Sequence, residues 1–328
     1  NKMAMVASAI LAVYVLLTMG ADILPIYSFK LQMLDHKNLP PSLTKNAGQL
    51  WYERELKLAQ KFARRQNREL NKQEKQKLEE IKYKVEHDQV EIEGKIVNPH
   101  LRRYWLGTDS LGRDMLSRTI YGGRISISIG LIGALTAVLI GIVIGSIAGF
   151  YGGRTDYMLM RFVDVLYGLP YMLLIIVLMS VLGKNTLNLF VALAMVSWLT
   201  VSRVVRGQIL FLKHAEFIEA ARTMGASTAR IIVRHLIPNT LGVIIVFTTL
   251  RIPTFIMAEA FLSFLGLGIS APLASWGSLI GEAVAALETY PWQLFVPSVA
   301  MTIFLFAMNF LGDGLRDAFD PKGKAKGE

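Results

Sequence analysis

The stretch Ile125–Phe150 runs for 26 residues without a charged side chain, and no other feature limits the fold as strongly. About 20 helical residues cross a hydrocarbon core of roughly 30 Å, and a segment that crosses it must satisfy its backbone hydrogen bonds internally. A run of this length predicts a membrane-crossing helix. Gly141, Gly145 and Gly149 recur within it at four-residue spacing, which puts small residues on one face and permits close approach of a second helix.

Five more apolar stretches follow the same logic: Met3–Ala21, Phe162–Leu182 with Asp164 near its start and Pro170 inside, Leu187–Ser202 with room to extend toward Arg206, Leu241–Leu265 and Leu294–Leu311. Together they predict an all-α polytopic membrane protein with six transmembrane helices. Met3–Ala21 has the length of a signal-peptide core, but no small-residue cleavage site followed by a soluble chain comes after it. It reads as the first span. The first residue is Asn, not Met, and lies at the edge of this run, which suggests that a short stretch precedes it.

Charge is concentrated elsewhere. Residues 43–103 hold 25 of the 60 charged side chains in 61 positions, so the chain is an apolar body with one polar insert. A net charge of +10 raises the question of nucleic acid, but the excess is scattered over loops and no nucleic-acid motif accompanies it. The absence of cysteine removes disulfides, thiolate metal sites and cysteine nucleophiles.

Orientation follows from Lys and Arg in short loops. Arg154 and Arg161, then Arg203, Arg206, Lys213, Arg222, Arg230 and Arg234, and finally Arg316, Lys322, Lys324 and Lys326 all fall on one side. The opposite side has Lys184 in one short link and neither Lys nor Arg over 266–293. The first side is therefore expected to be cytoplasmic, with both termini inside. The basic insert then lies outside, in a loop long enough to escape the bias. The expected division is 1–27 for the first helix, 28–124 for an extracytoplasmic loop carrying the insert 43–103, 125–315 for the membrane core, and 316–328 for a cytoplasmic tail.

Gln49–Glu93 contains neither Gly nor Pro over 45 residues and is rich in Lys, Arg, Glu and Gln, a composition that favours one long helix or a helical hairpin. Glu53 and Lys57 stand at ion-pair spacing, and Leu50, Leu58, Phe62 and Leu70 could form a thin apolar stripe. Ile81, Tyr83 and Val85, then Val90 and Ile92, alternate with polar residues around Glu86–Gln89, which predicts a small β-hairpin. The insert is either a solvated decoration or a docking surface for an extracellular partner.

Chemistry-bearing patterns are scarce. Gly94-Lys95, Gly183-Lys184 and Gly323-Lys324 lack the glycine spacing and the Ser/Thr of a phosphate loop. The five histidines are dispersed, with no HExxH arrangement, so neither a metal site nor a catalytic constellation is expected. The informative segment is 207–240, far longer than a simple turn. Glu216–Thr223 has helical composition and is stopped by Gly225; a second amphipathic piece with Ile231, Ile232 and Leu236 is expected to end at Pro238. Ala220 and Ala221 would let another surface approach closely, which favours a knob for a cytoplasmic partner over a membrane anchor.

Here the chain resembles the inner-membrane permeases of ABC importers, whose coupling loop reads EAA, three residues, Gly, nine residues, I-x-L-P. The matches are Glu219-Ala220-Ala221, Gly225 and Pro238, with departures at His235 and Ile237. The resemblance continues in Leu106–Asp114, Gly152–Asp156, Glu259–Gly268, Ala274–Gly277 and Gly312–Asp317, and it is similar to the C-type permeases of dipeptide and oligopeptide importers over 1–42 and 104–322. It does not extend to 43–103. The resemblance implies the type I importer permease fold in a bacterial cytoplasmic membrane. It also implies a heteromeric complex with a second permease, two cytoplasmic ATPases and an extracellular peptide-binding protein. No cofactor is expected in this chain; ATP and Mg would belong to the ATPases, and Glu219 to Gly225 would sit in a cleft of one of them. Permeases for nickel, a metallophore or another small solute share these motifs and remain the alternative. In the fifth span, Arg251 is a candidate for lining the translocation path and attracting the peptide C-terminal carboxylate or backbone carbonyls, with Glu259 near the outer mouth; pairing of the two with each other, with the partner permease or with the broken backbone near Pro253 is the competing reading. Asp164 with Arg161, and Asp313 with Arg316, read as structural pairs.

Overall fold

A computed structural model describes residues 2–92 and 94–319. In chain order the helices are α1 (Lys2–Met19), α2 (Ala47–Arg65), α3 (Lys72–His87), α4 (Met115–Tyr151), α5 (Gly153–Tyr167), α6 (Tyr171–Leu182), α7 (Thr186–Leu212), α8 (Glu216–Thr223), α9 (Thr228–Ile231), α10 (Ile237–Phe264), α11 (Trp276–Ala283) and α12 (Trp292–Phe319), with β1 (Val90–Ile92) and β2 (Lys95–Val97) between α3 and α4. Among the described residues five helices are long and apolar enough to cross a membrane, and the bent pair α5–α6 would add a sixth. Lys322, Lys324 and Lys326 lie outside the described residues.

Most spans are longer than their apolar cores. α4 begins at Met115, not Ile125, because Asp114 caps it: Ser117 donates both its backbone N–H (3.0 Å) and its hydroxyl (2.6 Å) to the Asp114 carboxylate. α7 continues past Ser202 to Leu212 because Arg203 and Arg206 find carboxylates. The expected single span Phe162–Leu182 is instead broken, with α5 and α6 bent by 84°. Pro170 supplies no N–H and disfavours helical geometry at Leu169, so the helix stops at Gly168 and restarts.

The chain divides into two compact units. One comprises 1–20, 122–281 and 300–328. Its glycine stripe is met by a helix of the same chain: a Cβ on Gly141 would lie 2.6 Å from the Val201 side chain, and one on Gly145 would lie 2.5 Å from the Ser202 carbonyl. α4 and α7 thus pack backbone to backbone, as small-residue faces allow. α10 crosses α4 at Gly130 and Gly133, which face Ile252, Phe255 and Ile256. Trp276 is buried against Tyr14 and Phe304.

The other unit comprises 21–121 and 282–299. Its insert is a helical hairpin, with Asn46 and Asn71 forming capping boxes with Gln49 and Glu74. The strand expected at 81–85 is helical instead. Leu78, Ile81 and Val85 share one helical face on which Leu78 and Ile81 are buried, while Tyr83 is exposed, so the helical period wins over the alternation. The β-hairpin lies one strand later, pairing Val90 with Val97 and Ile92 with Lys95 around Gly94 at φ 76°. Glu53 pairs with Lys45 (2.5 Å) rather than Lys57, and of the expected stripe only Leu50 is buried, Leu58 and Phe62 being 55% and 59% exposed.

This unit is tied together by a chain of polar rings. Asp88 accepts from His100 (3.1 Å), His100 meets His36 (2.9 Å), and His36 meets the Tyr104 hydroxyl (3.0 Å), with Trp51 stacked on His100. Burial, then the nearby His100, Arg102 and Arg54, pushes the His36 pKa down to about 3. The folded unit therefore prefers the neutral ring: its contribution is complete above about pH 6.5 and is lost as pH falls from there toward 3. Thermal unfolding of the insert is expected to move to lower temperature on acidification from pH 7 to 4, with a weaker pH dependence in His36→Gln. Identical profiles for the two proteins would contradict this.

Candidate functional site

α8 opens on Glu216 and Glu219 in its first turn, favourable at the positive end of a helix dipole, and closes on Arg222. It stops because Gly225 adopts φ 79°, a left-handed conformation that glycine enters without the Cβ penalty. The Ala226 N–H then reaches back to the Ala221 carbonyl (3.0 Å) and closes the turn. Ser227 caps α9, and Ile231 and Leu236 anchor the segment in the core.

The predicted coupling residues separate by face. Glu219 and Ala220 are exposed, whereas Ala221 (2% exposed) packs inward beside Ile218. Met224 at the tip is 81% exposed, and nothing lies within 4 Å of where a Gly225 Cβ would stand. The motif thus presents a small bare knob: Glu219, Ala220 and Met224 outward, Ala221 as its root. Met224 carried no sequence signal, because only its position at the turn makes it protrude.

Pro238 does not end the second piece. It sits in the first turn of α10, where its missing N–H is harmless, and residues Ile232–Leu236 form a π-turn closed by the Ile237 N–H on the Ile232 carbonyl. The turn at Gly225 is therefore followed, from Thr228, by continuous helix through the 28-residue α10. On the neighbouring helices Arg206 binds Asp156 with two bonds of 2.5 Å, and Arg203 binds Asp164 at 2.7 Å. Asp164 is thus not partnered by Arg161, whose guanidinium lies over Tyr157, and no ion pair joins Asp313 to Arg316 among the described residues. Partners 39 and 50 residues apart left no local pattern to read.

Further along α10, Arg251 and Glu259 are not brought together. Arg251 borders a hollow of about 240 Å³ together with Tyr167, Tyr171, Ser197 and Thr200, and no carboxylate pairs with it among the described residues. Glu259 is fully buried, its Oε1 accepting hydroxyls from Ser263 and Ser275 at 2.6 Å each. Its carboxylate is thus engaged within this chain. It ties α10 to the start of α11, where Gly277 fits so closely against Ala260 that a Cβ would stand 2.3 Å from the Ala260 Cα.

A second polar cluster escaped the motif reading. Asp109 Oδ2 accepts from Arg113 (2.6 Å) and Arg118 (2.7 Å), its Oδ1 accepts the backbone N–H groups of Leu111 (2.8 Å) and Arg113 (2.9 Å), and Glu282 joins both arginines (3.2 and 2.9 Å).

Residues 141–324 match the family described as binding-protein-dependent transport system inner membrane component. The chain is 49% identical over 224 residues to the oligopeptide transport system permease protein OppC of Bacillus subtilis (strain 168), covering 68% of this chain and 73% of that protein. It is 49% identical over 220 residues to the dipeptide transport system permease protein DppC of the same organism, covering 67% and 69%. With the OppC protein of Escherichia coli (strain K12) it shares 48% over 221 residues, covering 67% and 73%. Among solved structures, a chain of the MetNI methionine ABC transporter in inward facing conformations superposes with a TM-score of 0.53 at 17% identity, covering 63% of this chain and 98% of that one. That likeness shows a shared permease fold.

Proposed function

This chain belongs to the family of binding-protein-dependent transport system inner membrane components, and from that premise we propose that it is the permease subunit of an ATP-driven importer of oligopeptides or dipeptides. It is a multi-pass membrane protein and a transport subunit, not an enzyme. The observation that carries the mechanism is the bare knob Glu219–Gly225 at the foot of a helix that runs through the membrane core. A rigid connection lets closure of an ATPase against the knob tilt α10, and binding of ATP by that partner biases the pore between two states.

In this reading α5 and α6 form one broken span, giving six, with both termini cytoplasmic and the insert 43–103 outside. A second permease completes the pathway, two ATPases hold the ATP and Mg, and an extracellular binding protein delivers the peptide. Glu219, Ala220 and Gly225 dock, Ala221 roots the knob, and Pro238 starts the transmitting helix. Arg251 faces the solute, while Glu259 braces the adjoining loop rather than touching it. The half-identity to oligopeptide and dipeptide permeases supports peptide over nickel or a metallophore.

Co-purified complex in liposomes tests this. ATP hydrolysis should rise with a peptide mixture and its binding protein; a rise with nickel or a metallophore alone would overturn the peptide assignment. Arg251→Gln is expected to raise the half-saturating concentration of free-acid peptides roughly tenfold, the loss of one charge-assisted bond, and to leave C-terminally amidated peptides unchanged. Equal effects on both would remove Arg251 from carboxylate recognition.

A further inference from the structure

α2 carries a continuous stripe of which only half is covered. At about 100° per residue, Ala47, Leu50, Trp51 and Arg54 fall on one face, and Leu58, Lys61, Phe62 and Arg65 extend the same face. The first half is packed: Ala47, Leu50 and Trp51 are buried with Leu39 and Tyr104, and Arg54 donates to the backbone carbonyls of Asp35 and Lys37. The second half overhangs, with Leu58 and Phe62 more than half exposed. Lys57, Lys61, Arg64 and Arg65 surround these two side chains and are all exposed.

The overhang is purely cationic. The two acids of α2 are engaged elsewhere, Glu53 by Lys45 and Glu55 by Arg54 and Lys77, and none of the four cations has an ion-pair partner among the described residues. α3 meets α2 through Ile81 and Val85 at the packed first half, and beyond it through Lys77 on Glu55 and Lys82 over Tyr52, away from Leu58 and Phe62.

We propose that this overhanging face of α2 docks on anionic phospholipid headgroups, with Phe62 and Leu58 entering the interface beside them. Apolar side chains flanked by Lys and Arg on one helix face have the composition of a membrane-surface helix, and long basic side chains reach a diffuse sheet of negative charge better than a single shaped pocket. The chain on either side of the insert leads into the apolar helices α1 and α4, so the insert is tethered to a bilayer surface at both ends. Each cation near such a surface is worth roughly fivefold in affinity. The inference rests on the membrane reading of α1 and α4 and does not depend on peptide as the solute.

The chain has no cysteine, so Phe62→Cys gives this subunit a single thiol, and with any cysteines of the other subunits replaced, an environment-sensitive fluorophore there reports this site alone. In the assembled complex in lipid discs, emission should shift to the blue when phosphatidylglycerol replaces part of the phosphatidylcholine. The shift should weaken with salt and be lost when Lys57, Lys61, Arg64 and Arg65 are all changed to Gln. Identical emission in both lipids would overturn the proposal, as would a shift that appears only on adding the solute-binding protein, which would make the face a protein interface. Peptide-stimulated ATPase activity in the same discs reports separately on the proposed function.

Discussion

Ala220→Arg is expected to leave the chain folded and inserted but to abolish its response to the ATPases. Ala220 is exposed on the knob, so a longer side chain costs the fold little, yet it holds a partner surface away from the backbone of α8. Coupling between distant sites is typically worth about 1–3 kcal/mol, roughly 5- to 150-fold, and loss of the contact forfeits all of it. Peptide-stimulated ATP hydrolysis should therefore fall roughly 5- to 150-fold, with less ATPase retained on co-purification. Glu219→Ala should act in the same direction while the complex stays assembled. Ala221→Arg is a different experiment: this residue is buried against the core, and the substitution should lower the folded yield. Unchanged stimulated turnover in Ala220→Arg would remove the knob from the coupling path.

Asp109→Ala is expected to produce the largest loss of stability in the 21–121 unit. One carboxylate there neutralises two arginines whose side chains are 6% and 1% exposed, and it also accepts two backbone N–H groups. Removing one member of a buried ion pair leaves an uncompensated charge and costs about 3–5 kcal/mol, a large part of a typical domain stability of about 5–15 kcal/mol. Glu282 cannot replace it, since its side chain is 45% exposed and shares its attraction with water. Glu282→Gln should accordingly cost far less than Asp109→Ala. Thermal unfolding and protease resistance of this unit measure both; equal melting temperatures for wild type and Asp109→Ala would mean that the arginines are hydrated.

The membrane character, the long apolar helices and the turn at Gly225 were legible because each depends on local rules. Apolar length decides insertion, four-residue glycine spacing decides which face of α4 is flat, and Gly225 in a helical context stops α8. The same locality explains the errors. Pro170 was visible, but whether a proline bends or breaks a span depends on what its flanking helices pack against. Alternation at Ile81, Tyr83 and Val85 is compatible with strand and helix alike, and the burial of Leu78 and Ile81 decides for helix. Pro238 in sequence predicts a stop, whereas it sits in the first turn of α10, where its missing N–H is harmless and the helix continues.

For the charged residues, sequence proximity was a poor guide. Asp164 chose Arg203 over Arg161, and Arg251 and Glu259, on one helix, do not meet; Glu259 is held by two serine hydroxyls. Sequence by itself determined that this chain is rich in membrane-length apolar helices, that its charge is concentrated in one stretch, and which short turn stops α8. Hydrophobic length, helix propensity and a left-handed glycine are properties of neighbouring residues. Tertiary structure alone decided which face of the EAA turn is bare, which carboxylate neutralises which arginine, and which half of α2 is left uncovered. Those outcomes depend on the distance between atoms far apart in the chain, and burial, not sequence spacing, sets their energy.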